Sequence, residues 1–300
     1  MTNAFEYIDV IKRFPDFTLG PLNVSLEPGT VLGFVGPNGS GKTTTMQCLT
    51  GLLRPDKGRI KVFGRENDLN HPEWKQAIGY VGNIQVFYER WTGMRNLQFL
   101  SQFYTNWSFK KVEELARRFQ LPLDKRAKDL STGNRVKLSL LAALAHSPRL
   151  LLLDEPTTGL DPVVRTEVLE VLFEILETGD RAIFYATHIL PEISRLADEL
   201  AFIESGSVWL RTPKEDLLER WRKIIFRLDQ ESISLDSVVS DRSEGNKHLV
   251  VSADYERTLG QLKAMGAVEI EARRMSVDEI AVQILRGGKN VAAVANGNKI

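Results

Sequence analysis

A run of ten residues, GPNGSGKTTT from Gly36 to Thr45, sets three glycines ahead of a lysine and three threonines. Gly36, Gly39 and Gly41 allow the positive-φ turns that aim successive backbone N–H groups at one point, and a helix beginning near Gly41 adds its positive end there. The stretch Gly36, Pro37, Asn38, Gly39, Ser40, Gly41, Lys42, Thr43 and Thr44 therefore reads as a cradle for phosphate. Its G-x-x-x-x-G-K-[ST] spacing gives the Lys42 ammonium to the β- and γ-phosphates of a nucleotide and the Thr43 hydroxyl to Mg2+.

A second constellation, LLLLDEPTTGLDP from Leu150 to Pro162, ends four leucines in two carboxylates. The leucines describe a strand buried on both faces, which delivers Asp154 and Glu155 at the C-terminal edge of a sheet. Neighbouring side chains on a strand diverge, so one carboxylate can face Mg2+ and the other the line of attack on the γ-phosphate. Asp154 is read as the metal partner, largely through water, and Glu155 as the general base. His188 closes another apolar run, FYATH, where a neutral imidazole can reach a γ-phosphate or its attacking water. Lys42, Glu155 and His188 are thus the expected catalytic set. His71, His146 and His248 sit in polar or helix-end settings and are assigned no chemistry.

These residues need elements to hold them. TVLGFV before the glycine loop is a short β-branched run, and Met46, Leu49, Leu52 and Leu53 after it fall near helical spacing, so the loop joins a strand to a helix. GRIKVFG, IGYVG, RLLLLDEP and RAIFYATH read as strands, alternating with helical patterns around 94–104, 109–119, 134–146 and 162–177. That alternation predicts an α/β layout with a largely parallel central sheet. Past Pro213 the texture changes. KIIFRLD and HLVVSAD read as strands flanking the polar stretch SVVSDRSEGNK, followed by a helix over 255–266, a strand AVEIEAR, and a helix from Ser276 in capping-box register with Glu279. Residues 289–300 show no usable pattern and are expected to fray. The expected division is 1–212 and a small α+β unit over 213–300.

Composition limits the partners. Lys plus Arg and Asp plus Glu both number 39 in 300 residues, so a basic footprint for nucleic acid is missing and nucleic-acid partners are not expected. With 43% hydrophobic and 26% charged residues the chain can bury a core, and no apolar run nears the roughly 18 residues of a membrane span. Acidic residues in MTNAFEYIDVIKRF argue against a signal peptide, and the chain is expected inside the cell. Cys48 is single and reads as a small buried hydrophobe.

The order of these motifs, with LSTGN at 130–134 before a helix and GLDP at 159–162, resembles the nucleotide-binding subunit of ATP-binding cassette (ABC) transporters over roughly residues 4–210. The resemblance implies a P-loop NTPase cassette: a mostly parallel central sheet, an antiparallel N-terminal β subdomain and a helical subdomain, here with a C-terminal α+β appendage. It implies ATP and Mg2+, hydrolysis of ATP, and two cassettes, a second copy or a similar chain, sandwiching two nucleotides. In that family Ser131 and Gly133 would seat the phosphates held by the opposite cassette, which suits a helix start whose N–H groups form an anion seat. A separately encoded membrane-spanning subunit is the implied partner, with the cassette attached to the inner face of the cell membrane, and the likeness leans toward exporters. A soluble ABC ATPase acting on a ribosome or DNA is the alternative. The chain departs from the family at Thr132 and Asn134. Asn83 stands where the family has its magnesium-sensing glutamine, with Gln85 two residues on, and Phe14 aligns with the adenine-stacking aromatic, Phe17 being the runner-up. Val86, Phe87, Tyr88 and Trp91 form either a docking groove for the membrane subunit or a local plug.

Overall fold

The computed structural model describes residues 2–177, 181–229 and 234–295, with side chains described except at 175–177 and 288–295. Five strands make an antiparallel N-terminal sheet: β1 (Phe5–Phe14), β2 (Phe17–Leu22), β3 (Ser25–Leu26), β5 (Lys57–Val62) and β6 (Arg65–Glu66), in the order β2-β1-β5-β6 with β3 also on β1. The central sheet takes β4 (Val31–Val35), β7 (Ile78–Val81), β8 (Leu150–Asp154), β9 (Ala182–Thr187), β10 (Glu199–Glu204) and β11 (Ser207–Pro213), ordered β11-β10-β4-β9-β8-β7. All of its pairings are parallel except β10 with β11. The four-leucine strand lies between two parallel neighbours and every one of its residues is buried, as a double-faced strand must be.

Parallel register lines up the ends that matter. Val35 pairs with Thr187 and Asp154 with Ala186, so the strand ends preceding the glycine loop, the acids and His188 fall on one edge. Helix α1 (Lys42–Leu49) leaves that edge directly, shorter than its apolar spacing suggested. α2 (Gly93–Ser101), α3 (Phe109–Arg118) and α4 (Thr132–Leu144) form a helical layer capped at their starts by Thr92, Ser108 and Ser131. α5 (Pro162–Glu177) and α6 (Leu190–Leu196) follow the acids and His188 in turn.

The C-terminal part pairs β13 (Val238–Glu244), β14 (Lys247–Ser252), β12 (Arg222–Arg227) and β15 (Val268–Arg274) in that order, antiparallel throughout, with α7 (Lys214–Arg220), α8 (Tyr255–Ala264) and α9 (Val277–Ala295). Two expectations change here. The polar stretch 237–247 contains a strand, because β13 is an edge strand that gains ladder hydrogen bonds from β14 while its side chains stay largely in solvent. Residues 289–295 continue α9 rather than fraying: the helix is already anchored by Ile280, Ala281 and Ile284 and runs on past two glycines into Ala-rich sequence. Residues 296–300 lie outside the described residues.

One hydrophobic cluster crosses from the elements around the central sheet into this C-terminal part. Ile193 and Leu196 of α6 and Leu217 of α7 belong to the same core as Trp221, Val277, Ile280 and Ile284. Trp221 is 1% exposed, so Trp221→Ala is expected to cost about 3–5 kcal/mol through lost transfer energy and a cavity, read as a lower urea midpoint.

Candidate active site

Two of the three loop glycines adopt the expected turn; Gly36 is not at positive φ, and glycine is needed there because a Cβ would meet the Ile203 carbonyl oxygen at 2.3 Å. Gly39 and Gly41 have φ of 78° and 109°, a region a side chain disfavours, and Gly41 then leads into α1. The cleft over this loop has a volume of about 330 Å3 and is lined by Phe17, Asn38, Gly39, Gly41, Lys42, Thr43, Thr44, Asn83 and Glu155. Lysine, hydroxyl, carboxamide and carboxylate thus meet on one surface.

The charges in the cleft satisfy one another. Lys42 Nζ donates to the carbonyls of Gly36 (2.8 Å) and Pro37 (3.0 Å) and lies 3.2 Å from Glu155 Oε1. Both groups are nearly buried, at 5% and 7% side-chain exposure, so the pair is scarcely screened. The other Glu155 oxygen accepts from His188 Nδ1 at 2.6 Å and from Thr158 Oγ1 at 2.9 Å. Glu155 is held in the left-handed region at φ 52°, a strained conformation for a non-glycine residue that its surroundings must over-determine. Lys42, Glu155 and His188 form one chain of contacts.

Asp154 is fully buried next to it. Burial pushes its carboxyl upward, while the hydrogen bond from Thr43 Oγ1 at 3.2 Å pulls the other way. Oδ2 has no partner, and neither has the buried Ser40 hydroxyl. A buried carboxylate with one oxygen unpartnered and the other bonded to a threonine hydroxyl that lines the cleft, beside which Asn83 also stands, is an oxygen donor set that suits a small hard cation. Thr43, Asp154 and Asn83 therefore fit Mg2+. Asn83 lines the cleft, whereas the Gln85 carboxamide is turned back on the carbonyls of Gly82 and Asn83.

For the aromatic, the cleft wall is Phe17, not Phe14. Phe14 lies beside it, ring centroids 6.2 Å apart, 38% exposed and capped by the Lys12 ammonium. β1 and β2 meet in a tight hairpin, which brings both rings to one corner.

Ser131 and Gly133 do not line this cleft. Ser131 caps α4, its hydroxyl accepting from Asn134 N at 3.3 Å, and stands exposed. Position 133 is tight, since a Cβ there would meet Val164 at 3.0 Å.

Sequence reading missed Arg135. Its guanidinium joins α4 to the segment after Asn83, bonding Glu89 at 2.8 and 3.0 Å and the carbonyls of Gln85 and Ala127. An arginine one turn into a helix gives no hint of its partner. The aromatic cluster of that segment divides in two. Tyr88 stacks on Trp91 at 4.3 Å and edges Phe99, with its backbone bracketed by Asn96, and Phe87 packs on the main core. Ile84 and Val86 remain 81% and 85% exposed.

Comparison with known proteins agrees with this geometry. The family model described as ABC transporter matches residues 19–158. The chain is 32% identical over 213 residues to the ABC transporter ATP-binding protein YtrB of Bacillus subtilis, covering 71% of this chain and 73% of that one. It is 28% identical over 295 residues to the Nod factor export ATP-binding protein I of Rhizobium etli, covering 94% and 93%. A solved structure of an ATP binding subunit of an ABC transporter superposes with a TM-score of 0.65 at 26% identity, over 72% of this chain and 92% of that chain. With a phosphate loop, paired acids and a facing histidine on one sheet edge, the chain belongs to the ATP-binding, ATP-hydrolysing subunits of ABC transporters.

Proposed function

We propose that this subunit hydrolyses ATP between two cassettes and passes the resulting movement to a separate membrane-spanning subunit that exports its cargo. The observation that carries the reading is the arrangement of charges: Lys42 and Glu155 meet in one cleft, with His188 bonded to Glu155, while the anion seat at Ser131 lies outside it. A seat that does not serve its own chain's nucleotide suits a partner cassette's. The export direction rests on the relative named for Nod factor export, aligned along nearly the whole chain. Residues 1–212 would be the ATPase unit and 213–300 an accessory unit, the whole attached to the inner face of the membrane.

Chemistry at the site follows from which contacts ATP displaces. The loop N–H groups take the phosphates, and Lys42 leaves the Gly36 and Pro37 carbonyls and Glu155 for the β- and γ-phosphate oxygens. Released from the ammonium, Glu155 accepts the proton of a water whose oxygen attacks the γ-phosphorus as the bond to the bridging oxygen breaks. His188, held through Nδ1 by Glu155, would have Nε2 free to contact the phosphate. Thr43, Asp154 and Asn83 would hold Mg2+, which neutralises phosphate charge when bound. Phe14 or Phe17 would give the adenine a stacking face.

Movement leaves the protein by the segment after Asn83. Ile84 and Val86 border a groove of about 280 Å3 shared with Tyr104 and Ala142, an apolar patch of the kind that accepts a partner helix. Replacing both with aspartate touches no buried residue. The expected result is unchanged melting temperature and basal ATPase, with about tenfold less protein retained on washed membranes of its host, a loss of the size hot-spot residues carry. Equal retention of wild type and variant would move the docking site elsewhere.

A further inference from the structure

Glu192, in the first turn of α6, is 2% exposed, and a buried carboxylate needs partners to remain charged. Its Oε1 accepts from Thr157 Oγ1 at 2.6 Å and faces Arg165 Nε at 3.6 Å; its Oε2 accepts from the Tyr185 hydroxyl at 2.5 Å. The three partners come from three separate pieces of the site. Thr157 follows Glu155 by two residues, Tyr185 precedes His188 by three, and Arg165 lies in the first turn of α5. None of the four lines the nucleotide cleft, so Glu192 cannot touch substrate there.

We propose that Glu192 is a positioning residue for hydrolysis: its buried carboxylate ties the turn after Glu155, the strand end before His188 and the start of α5 together, and thereby sets the Glu155–His188 contact. The inference rests on the roles given to Glu155 and His188 above. An apolar cluster of the same volume would hold these elements as firmly, but two short hydroxyl-to-carboxylate bonds also fix direction and distance. Burial and the facing carboxylate hold the Tyr185 phenol well above its usual range, so it stays a donor. The strained backbone at Glu155 needs such a restraint close by, and Thr157 supplies it. α6 is itself fastened on its far side, where Ser194 bonds Asp278 of α9.

The test uses the full chain labelled with 15N-histidine, the His188 signal assigned by its loss in His188→Gln. Glu192→Ala is expected to lower kcat about 10- to 100-fold, the cost of a small misplacement, with KM and the dissociation constant for ATP within about twofold. The imidazole nitrogens of His188 should shift while those of the distant, buried His146 and His248 stay. Glu192→Gln, whose amide oxygen still accepts a hydroxyl bond, should restore part of both effects. Should Glu192→Ala fail to fold, Tyr185→Phe removes one tie and keeps the charge, and the same two changes are expected at smaller size. Unmoved His188 resonances in a folded variant, with or without a loss of kcat, overturn the proposal. Normal turnover in His188→Gln and Glu155→Gln would instead sink the catalytic roles, and the His188 shift would still report whether Glu192 sets its position.

Discussion

Glu155→Gln is expected to lower ATP turnover by roughly 10²- to 10⁴-fold, the usual contribution of a positioned base, while ATP still binds. The carboxylate is held at both oxygens, by Lys42 on one side and by His188 and Thr158 on the other. Glutamine keeps this shape and loses the charge. Affinity for ATP should then hold or rise, because the Lys42 ammonium no longer has to leave a buried carboxylate to reach phosphate. With binding intact and hydrolysis lost, ATP should trap a dimer that the wild type forms only transiently. Turnover, ATP affinity and sedimentation with ATP check the three parts separately. Wild-type turnover in a folded Glu155→Gln protein would remove the residue from the base role.

Ser131→Arg is expected to abolish ATP-dependent dimerisation and lower turnover by about 10²-fold or more, on the scale of losing an oxyanion donor, with little change in ATP binding by a single chain. The side chain is exposed and outside its own cleft, and loss of the cap costs about 1 kcal/mol, so the domain survives. What changes is the surface offered to another chain's phosphates: a bulky side chain replaces a hydroxyl at the positive end of α4. The comparison that decides is Glu155→Gln against Glu155→Gln with Ser131→Arg, sedimented with ATP. If the double variant dimerises as well as the single, the two-cassette site is wrong and catalysis belongs to the monomer.

Much of this site could be read from the sequence because its parts are local. Gly36 to Thr44 form a loop and helix start from consecutive residues, and Asp154 ends, with Glu155 following, a strand whose burial four leucines announce. Their coming together needed one further fact, the parallel sheet, which alternating strands and helices supplied. What stayed hidden depends on contacts between distant residues. Glu192 looks like any acid in a helix's first turn, and Arg135 like any helix-surface base; only the fold gives them Tyr185 and Thr157, or Glu89, as partners. The loop aromatics show the same limit. The sequence grouped Val86, Phe87, Tyr88 and Trp91, but only packing separates them: Phe87 rests on the core, Tyr88 stacks on Trp91 while 52% exposed, and Val86 faces solvent beside Ile84. At the hairpin of β1 and β2 the family resemblance offered Phe14 with Phe17 as runner-up, and the turn sets Phe17 in the cleft wall with Phe14 beside it.

The helix that follows His188 is gripped from outside. Ile193 and Leu196 of α6 share a core with Ile280 and Ile284 of α9, and Ser194 meets Asp278 across the same seam. A chain cut after Pro213 would therefore lose more than an appendage: it would bare oily residues on the helix next to the reaction centre and invite clumping. Melting should likewise pass through a single transition, since neither part can let go without stripping the other. The far end of the polypeptide thus acts as a splint for the histidine.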